Sequence, residues 1–271
     1  MRRTQSGAAL ITALLVVAIA TVTATGMALR DHQQVHRATL LQEQQQARQL
    51  AMGGEAVAVH LLEDLLDYDE LPWEGCQTPP MPVDIEGTQV TARLENLHCR
   101  FNLNSLARGE DPPLAEFAEL VGEALQETGT ESGNSRQIAL AVHDWMNPET
   151  DDPAYRGLEP PRRSGNRTMT VASELRQVTG IGREQWDALA PWVTALPDTS
   201  LQIDQENAPE AVRAAAGAAP PDGDTTGAPD SIRYLRLQLS VPVNERQYFH
   251  CAVIDAPNGR TILRERTPCE P

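Results

Sequence analysis

The sequence predicts an α+β protein: a long N-terminal helix that crosses a membrane and continues beyond it, followed by an antiparallel sheet that a large α-helical insertion interrupts. Three observations carry this reading. From Ala8 to Leu29 no residue is charged, and a run of that length, at about 1.5 Å per residue, covers a hydrocarbon core of about 30 Å. Stretches of strict apolar alternation occur near both ends of the remaining chain. Between them, apolar residues recur at the three- and four-residue steps of helices.

The helix comes first. Met1 to Gly7 carries Arg2 and Arg3, and a short cationic start ahead of an apolar run holds the N-terminus in the cytoplasm and sends the rest of the chain outside. A cleaved secretory signal with Val22-Thr23-Ala24 as its small-residue site is the alternative. Against it, no proline interrupts the chain before Pro72, and Val35, Leu40, Leu41, Leu50, Val57, Leu61, Leu62, Leu65 and Leu66 continue a helical stripe beyond the apolar run. The helix is then about sixty residues, or about 90 Å, long. Gly26 and the Gly53-Gly54 pair are its weak points, where a bend is expected.

The strands come next. "TQVTARLEN" places Val90, Ala92 and Leu94 on one side, and "HCRFNLN" does the same with Cys99, Phe101 and Leu103; the two predict an antiparallel hairpin turning near Glu95-Asn96. At the other end, Leu235, Leu237, Leu239 and Val241 alternate with Arg236, Gln238 and Ser240. "QYFHCAVID" and "RTILRER" flank Pro257-Asn258-Gly259, a strong turn.

The insertion lies between. Leu114, Phe117, Leu120, Val121 and Leu125 predict one helix, and Ile138, Leu140, Ala141 and Trp145 another. Leu175 and Val178, then Gly180-Ile181-Gly182, then Trp186 and Leu189 predict two short helices about a tight glycine turn, a helix-hairpin-helix pattern. "AAAGAAPPDGDTTGAPD" is low in complexity and predicts a loop.

Composition narrows the function. A formal charge of −16 and the absence of a basic stripe argue against nucleic acid, because phosphate binding rests on clustered positive charge. Near the glycine turn, Arg176 and Arg183 are interleaved with Glu174, Glu184 and Asp187. An exported, membrane-anchored helix-hairpin-helix protein that binds DNA is the alternative these residues leave. Catalysis has little support: His143 and Asp144 are adjacent, but the sequence has no Gly-x-Ser-x-Gly elbow, His-Glu-x-x-His or P-loop. No catalytic residue is assigned.

Four cysteines in an exported chain suit disulfides. Sequence proximity favours Cys76 with Cys99 and Cys251 with Cys269, each closing a loop of about twenty residues worth about 3 kcal/mol. Zinc at Cys99 and His98 is the alternative, without a Cys-x-x-Cys spacing to support it. Asp144, Asn147, Glu149, Asp151, Asp152 and Glu159 gather oxygen donors in one short proline-containing loop, which suits calcium, although a solvated acidic loop has the same composition.

A basic leader ending in Gly7 and a membrane helix running into a long amphipathic one resemble the type IV pilin-like precursors. "FNLNSLA" at 101–107, "DWMNPETDD" at 144–152, "GNRTM" at 165–169, "SELRQVTGI" at 173–181, and Thr12 where pilins carry a glutamate narrow the resemblance to the K-type minor pseudopilins of the type II secretion system, the GspK family. "LQIDQENAPEAV" at 201–212 departs from the family pattern near "INVNTAPPEVL" and implies a shortened second helical repeat.

The resemblance implies a pilin-like fold divided as residues 1–7, leader; 8–29, membrane segment; 30–106, periplasmic helix and first strands; 107–229, insertion; and 230–271, final strands. It also implies cleavage after Gly7 by a prepilin peptidase, methylation of Ala8, a single inner-membrane span with a periplasmic bulk, and calcium in the acidic loop. Its expected partners are the I- and J-type minor pseudopilins in a tip complex, and the major pseudopilin.

Overall fold

A computed structural model describes residues 6–64, 71–107, 112–129, 135–150, 153–215, 232–265 and 269. Helix α1 runs unbroken over Ser6–Asp64. At 59 residues it is about 90 Å long. Leu65 and Leu66, the last residues of the expected stripe, lie outside the described residues. Among the described residues nothing packs on its N-terminal part: Leu10, Leu14, Val17 and Val22 are all exposed. Contact with the rest of the protein begins near Leu40, and Ala47, Leu50, Ala51 and Leu62 are buried.

The sheet beneath α1 has five strands: β1 (Met81–Ile85), β2 (Thr88–Asn96), β5 (Tyr234–Val243), β6 (Arg246–Asp255) and β7 (Arg260–Glu265), in spatial order β1-β2-β5-β6-β7 and all antiparallel. The β5–β6–β7 meander follows the sequence reading, with Gly259 left-handed (φ 54°) in the last turn.

The expected hairpin between residues 88–96 and 98–104 does not form. Strand β2 instead turns back on β1 through Glu86 and Gly87, whose φ of 52° and 80° suit a two-residue hairpin turn. Its other neighbour is β5, with Asn96 opposite Leu235. Residues 97–99 form a 3₁₀ turn, and Phe101–Asn102 is a short strand, β3, pairing in parallel with β4 (Val193–Thr194) in a separate two-stranded sheet. The second half of the alternating stretch serves the core of the insertion, where Phe101 and Leu103 are fully buried.

The insertion holds α2 (Leu114–Glu127), α3 (Ser135–Met146), α4 (Pro153–Arg156), α5 (Arg183–Leu189) and α6 (Glu210–Ala214). Phe117, Leu120, Val121 and Leu125 enter its core as expected, as do Ile138 and Trp145. Leu140 does not: it is 43% exposed, and the buried stripe of α3 runs through Ile138, Ala139, Val142, Trp145 and Met146. At the glycine turn the first member is a 3₁₀ helix, Ala172–Gln177, and α5 follows Gly182. Leu175, Val178, Ile181, Trp186 and Leu189 bury together. In the departing segment 201–212, Ile203, Ala208, Ala211 and Val212 still reach this core, although α6 is only five residues long. Most of the low-complexity stretch lies outside the described residues.

Two asymmetries orient the molecule. Glu43 of α1 meets Asn244 (2.9 Å) and Tyr248 (3.4 Å) at the β5–β6 turn, whereas Gly54 lies over Leu239 and the end of α1 approaches Leu237. Helix α1 thus travels from the β5–β6 turn toward the opposite end of the sheet. The insertion leaves after Asn96 and returns before Tyr234, at that opposite end. It sits at the end of the sheet farthest from the apolar half of α1.

Candidate assembly surfaces and the acidic loop

The apolar half of α1 is one candidate surface, and the structure keeps it bare. A stretch of α1 is long and apolar enough to span a membrane, and it is unburied throughout. Gly7 and Ala8, the residues of the expected cleavage, lie in the first turn of α1. Thr12 follows in the same apolar run.

The attachment of α1 to the sheet depends on a residue that the sequence reading missed. Glu55 is only 4% exposed. Its carboxylate accepts hydrogen bonds from Arg264 (2.6 and 2.9 Å) and Thr261 (2.6 Å) on β7, and stands 2.7 Å from His250 Nε2 on β6. Burial pushes the acid upward, but the bonds from Arg264, Thr261 and His250 outweigh it and hold the carboxyl below its ordinary value. Gly53 and Gly54 precede it for a steric reason: a Cβ on Gly54 would stand 3.1 Å from Leu239, and one on Gly53 3.3 Å from Ile85. The glycine pair lets the helix lie close to the sheet, and α1 runs through it as continuous helix. A lone acid inside the stripe Ala51, Gly54, Ala58 and Leu62 was the available signal.

A second buried ion network joins sheet and insertion. Glu95 of β2 pairs with Arg100 (2.6 Å) and with Arg236 of β5 (3.0 Å), and Arg236 pairs in turn with Glu265 of β7 (3.2 Å). Arg100 also donates to the Ala190 carbonyl in the insertion (3.0 Å). Arg236 lies on the polar side of the β5 alternation, yet it is 2% exposed. The insertion covers that face of the sheet, so the polar side of β5 became an interior.

The asparagines of "FNLNSLA" organise the insertion. Asn104 donates to the carbonyls of Met169 (2.9 Å) and Leu196 (2.7 Å) and accepts from the Met169 amide (2.8 Å). Asn102 donates to the carbonyls of Asp198 and Ser200 and accepts from the Leu196 amide (3.0 Å). The motif "GNRTM" is therefore pinned to residues 101–107, and its Gly165 sits where a Cβ would be 2.8 Å from the Trp145 ring nitrogen. His143, which adjacency to Asp144 had made a candidate for chemistry, has its Nδ1 2.7 Å from the Leu106 carbonyl. It is a packing residue of α3.

Arg183 is exposed and pairs with Asp187 at 3.4 Å, so the glycine turn presents a compensated surface. Cys76 is bonded to Cys99 and Cys251 to Cys269, with Cα separations of 6.0 and 5.5 Å. This leaves Cys99 no thiolate for zinc, and neighbouring His98 is engaged by backbone groups. In the acidic loop, Asp144 lies in the last turn of α3, and Asn147 Oδ1 accepts the Glu149 amide at 2.9 Å. Glu149 and Glu159 are exposed, while Asp151 and Asp152 lie outside the described residues. Among the described residues no three histidine, cysteine or acidic side chains converge on one metal-sized site. The donors present are oxygen groups, the chemistry of a hard cation.

These features meet their counterpart in known proteins. The profile of the family described as type II secretion system (T2SS), protein K, matches residues 99–198. The putative type II secretion system protein K of Escherichia coli K12 is 30% identical over 217 residues, covering 75% of this chain and 66% of that protein. Protein K of Aeromonas hydrophila is 31% identical over 226 residues, covering 74% and 66%. This chain belongs to the protein K family of the type II secretion system. It spans about two thirds of the length of these relatives. A chain from the crystal structure of the GspK-GspI-GspJ complex of enterotoxigenic E. coli shares the fold, with a TM-score of 0.66 at 18% identity, covering 84% of this chain and 98% of that one. The family is a structural component of a secretion system, and its matched region spans the disulfide at Cys99, both asparagines, the acidic loop and the glycine turn.

Replacing Glu55 with alanine leaves His250 and Thr261 without their partner while Arg264 can turn to solvent, so the loss should be about 2–4 kcal/mol in chemical denaturation. The acid dependence has a definite sign. The Glu55 contribution is present above the ordinary value of 4.5 and is lost as pH falls through it toward the lower folded value. Glu55→Gln should flatten that part of the stability profile.

Proposed function

We propose that this protein is a minor pseudopilin that caps the pseudopilus tip of a type II secretion system and helps initiate its assembly. The observation that carries the reading is the placement of the insertion, at the end of the sheet farthest from the apolar half of α1. A bulky domain there obstructs further stacking above it, which an end position tolerates and a packed shaft does not. Thr12 points the same way. In pilin-like filaments the glutamate at this place offsets its cost at membrane depth by pairing with the terminal amine of the subunit above. A subunit carrying Thr12 offers no charge upward, yet its own amine at Ala8 can receive the glutamate of a subunit below.

The processing and location follow from the same reading. A prepilin peptidase removes Met1 to Gly7, Ala8 becomes the methylated terminus, and the single span stays in the inner membrane with the folded bulk in the periplasm. The role is structural rather than enzymatic: His143 is engaged with a backbone carbonyl, and the buried ion networks are internally paired. DNA binding is disfavoured by the compensated charges at the glycine turn. The partners are the I- and J-type minor pseudopilins, by analogy with the GspK-GspI-GspJ complex, and the major pseudopilin below them.

Calcium belongs to the same proposal. Asp144, Asn147, Glu149, Asp151, Asp152 and Glu159 are the residues that would hold it, and the ion would neutralise their repulsion and brace the chain leaving α3.

Two outcomes are expected. Purified with its I- and J-type counterparts, the protein should form a one-to-one-to-one complex, and Thr12→Glu should gain little assembly; crosslinks placing it regularly along the shaft at major-subunit abundance would refute the tip position. Chelation should lower the melting temperature, since a ligand at a hundredfold its Kd adds about 2.7 kcal/mol to the folded state. An unchanged melting temperature with chelator and with excess calcium rules out the calcium site.

A further inference from the structure

The joint between the insertion and the sheet is built around a buried histidine. His98 lies in the 3₁₀ turn just after β2, is 1% exposed, and touches all three segments that meet there. Its amide donates to Asn96 Oδ1 at 2.9 Å, and its carbonyl accepts the Asp204 amide at 2.9 Å. Its ring lies 5.8 Å from the Tyr234 ring, stacked at 26°. The two ring nitrogens face groups of opposite kind. Nδ1 is 3.1 Å from the Gln202 carbonyl, which can only accept, and Nε2 is 3.4 Å from the Tyr234 amide, which can only donate. These neighbours fix a neutral ring with its hydrogen on Nδ1 and its lone pair on Nε2.

We propose that His98 is an acid-sensitive latch: protonation at Nε2 opens the contact between the insertion and the start of β5 while the sheet and the insertion core stay folded. The added proton removes the lone pair that receives the Tyr234 amide and turns the pair into two opposed N–H donors. It also places a charge among Leu97, Leu196, Tyr234 and Val253, which pack as a small apolar cluster at this point.

The charged neighbours are already committed. Asp204 accepts from Glu206, Asn207 and Asn96, so its carboxylate is held in a turn of the insertion. Asp198 bonds Ser200 and the Tyr234 hydroxyl. Arg233 opposes a positive ring and lies over Tyr234 at 5.1 Å while pairing with Asp255 at 3.5 Å. Tyr234 is pushed up to about 12 by burial and by Asp198, and stays neutral throughout the relevant range.

Burial lowers the imidazole below its ordinary 6.5, against the opposing pull of the Gln202 carbonyl, Asp198 and Asp204. The sign follows. The latch is fully closed above 6.5 and is lost as pH falls through that value toward the folded one.

Amide hydrogen exchange of the full-length chain in detergent micelles, corrected for the intrinsic pH dependence of exchange, tests this. Between about pH 7 and about pH 5 protection at Tyr234 and Asp204 should fall roughly tenfold or more, while Leu237 and Phe117 keep theirs. In His98→Gln, which keeps a donor and an acceptor but does not titrate, that fall should disappear. Unchanged protection in the parent protein, or an equal fall in the variant, overturns the proposal. Should the variant not fold, the ring titration of His98 in the parent protein decides: a midpoint below 6.5 sustains the latch, and one at or above 6.5 overturns it.

Discussion

A carboxylate placed between a helix and a sheet must find partners or lose its charge, and Glu55 finds three on two strands. That requirement fixes more than local stability. Apolar packing of Ala47, Leu50 and Ala51 would tolerate some rotation or sliding of α1, because hydrophobic contact is not directional. The geometry at Thr261 and Arg264 does not. With Gly53 and Gly54 allowing close approach just before it, Glu55 sets both the rotation of α1 and how far its apolar half projects beyond the sheet. Because the apolar run and the part of α1 packed on the sheet share one helix, that register sets how far the apolar run stands from the folded domain.

The rest of the architecture builds on that register. The sheet carries the helix on one face and part of the insertion on the other, which is why a strand such as β5 is buried on both sides at its start and solvated only toward the β5–β6 turn. The Glu95, Arg100, Arg236 and Glu265 network fills the second interface. A buried network of this kind adds little net stability, because each charge had to leave water, and what it supplies is paired polar groups across the interface. Asn102 and Asn104 play the same part within the insertion, satisfying backbone groups of segments that form no regular ladder.

Where period and packing agree, the sequence is legible. The uncharged run is named by length and composition alone, and α2 and the last three strands are named by a period that matches the face they bury. The expected hairpin at 88–104 fails because alternation does not say which strand is the partner, and the short Glu86-Gly87 turn to β1 wins over a turn at Glu95-Asn96. Arg236 misleads because a polar residue in an alternating strand reads as solvated until a second domain covers it. Glu55 is hidden among the ordinary acids of a long helix; only the sheet against it shows that it is enclosed. The asparagines stand out as a motif without showing what they are for, and the reason is a set of contacts more than sixty residues away in sequence.

The proposed anchor requires α1 to remain whole, since a cut inside the apolar run would detach the domain from the segment whose projection Glu55 sets. The most direct test is the mass of the mature N-terminal peptide of the protein isolated from membranes of cells that carry a prepilin peptidase. A terminus at Ala8 is the expected result. A terminus just after Ala24 would mean that the apolar run is a discarded signal and would contradict the anchored assembly helix.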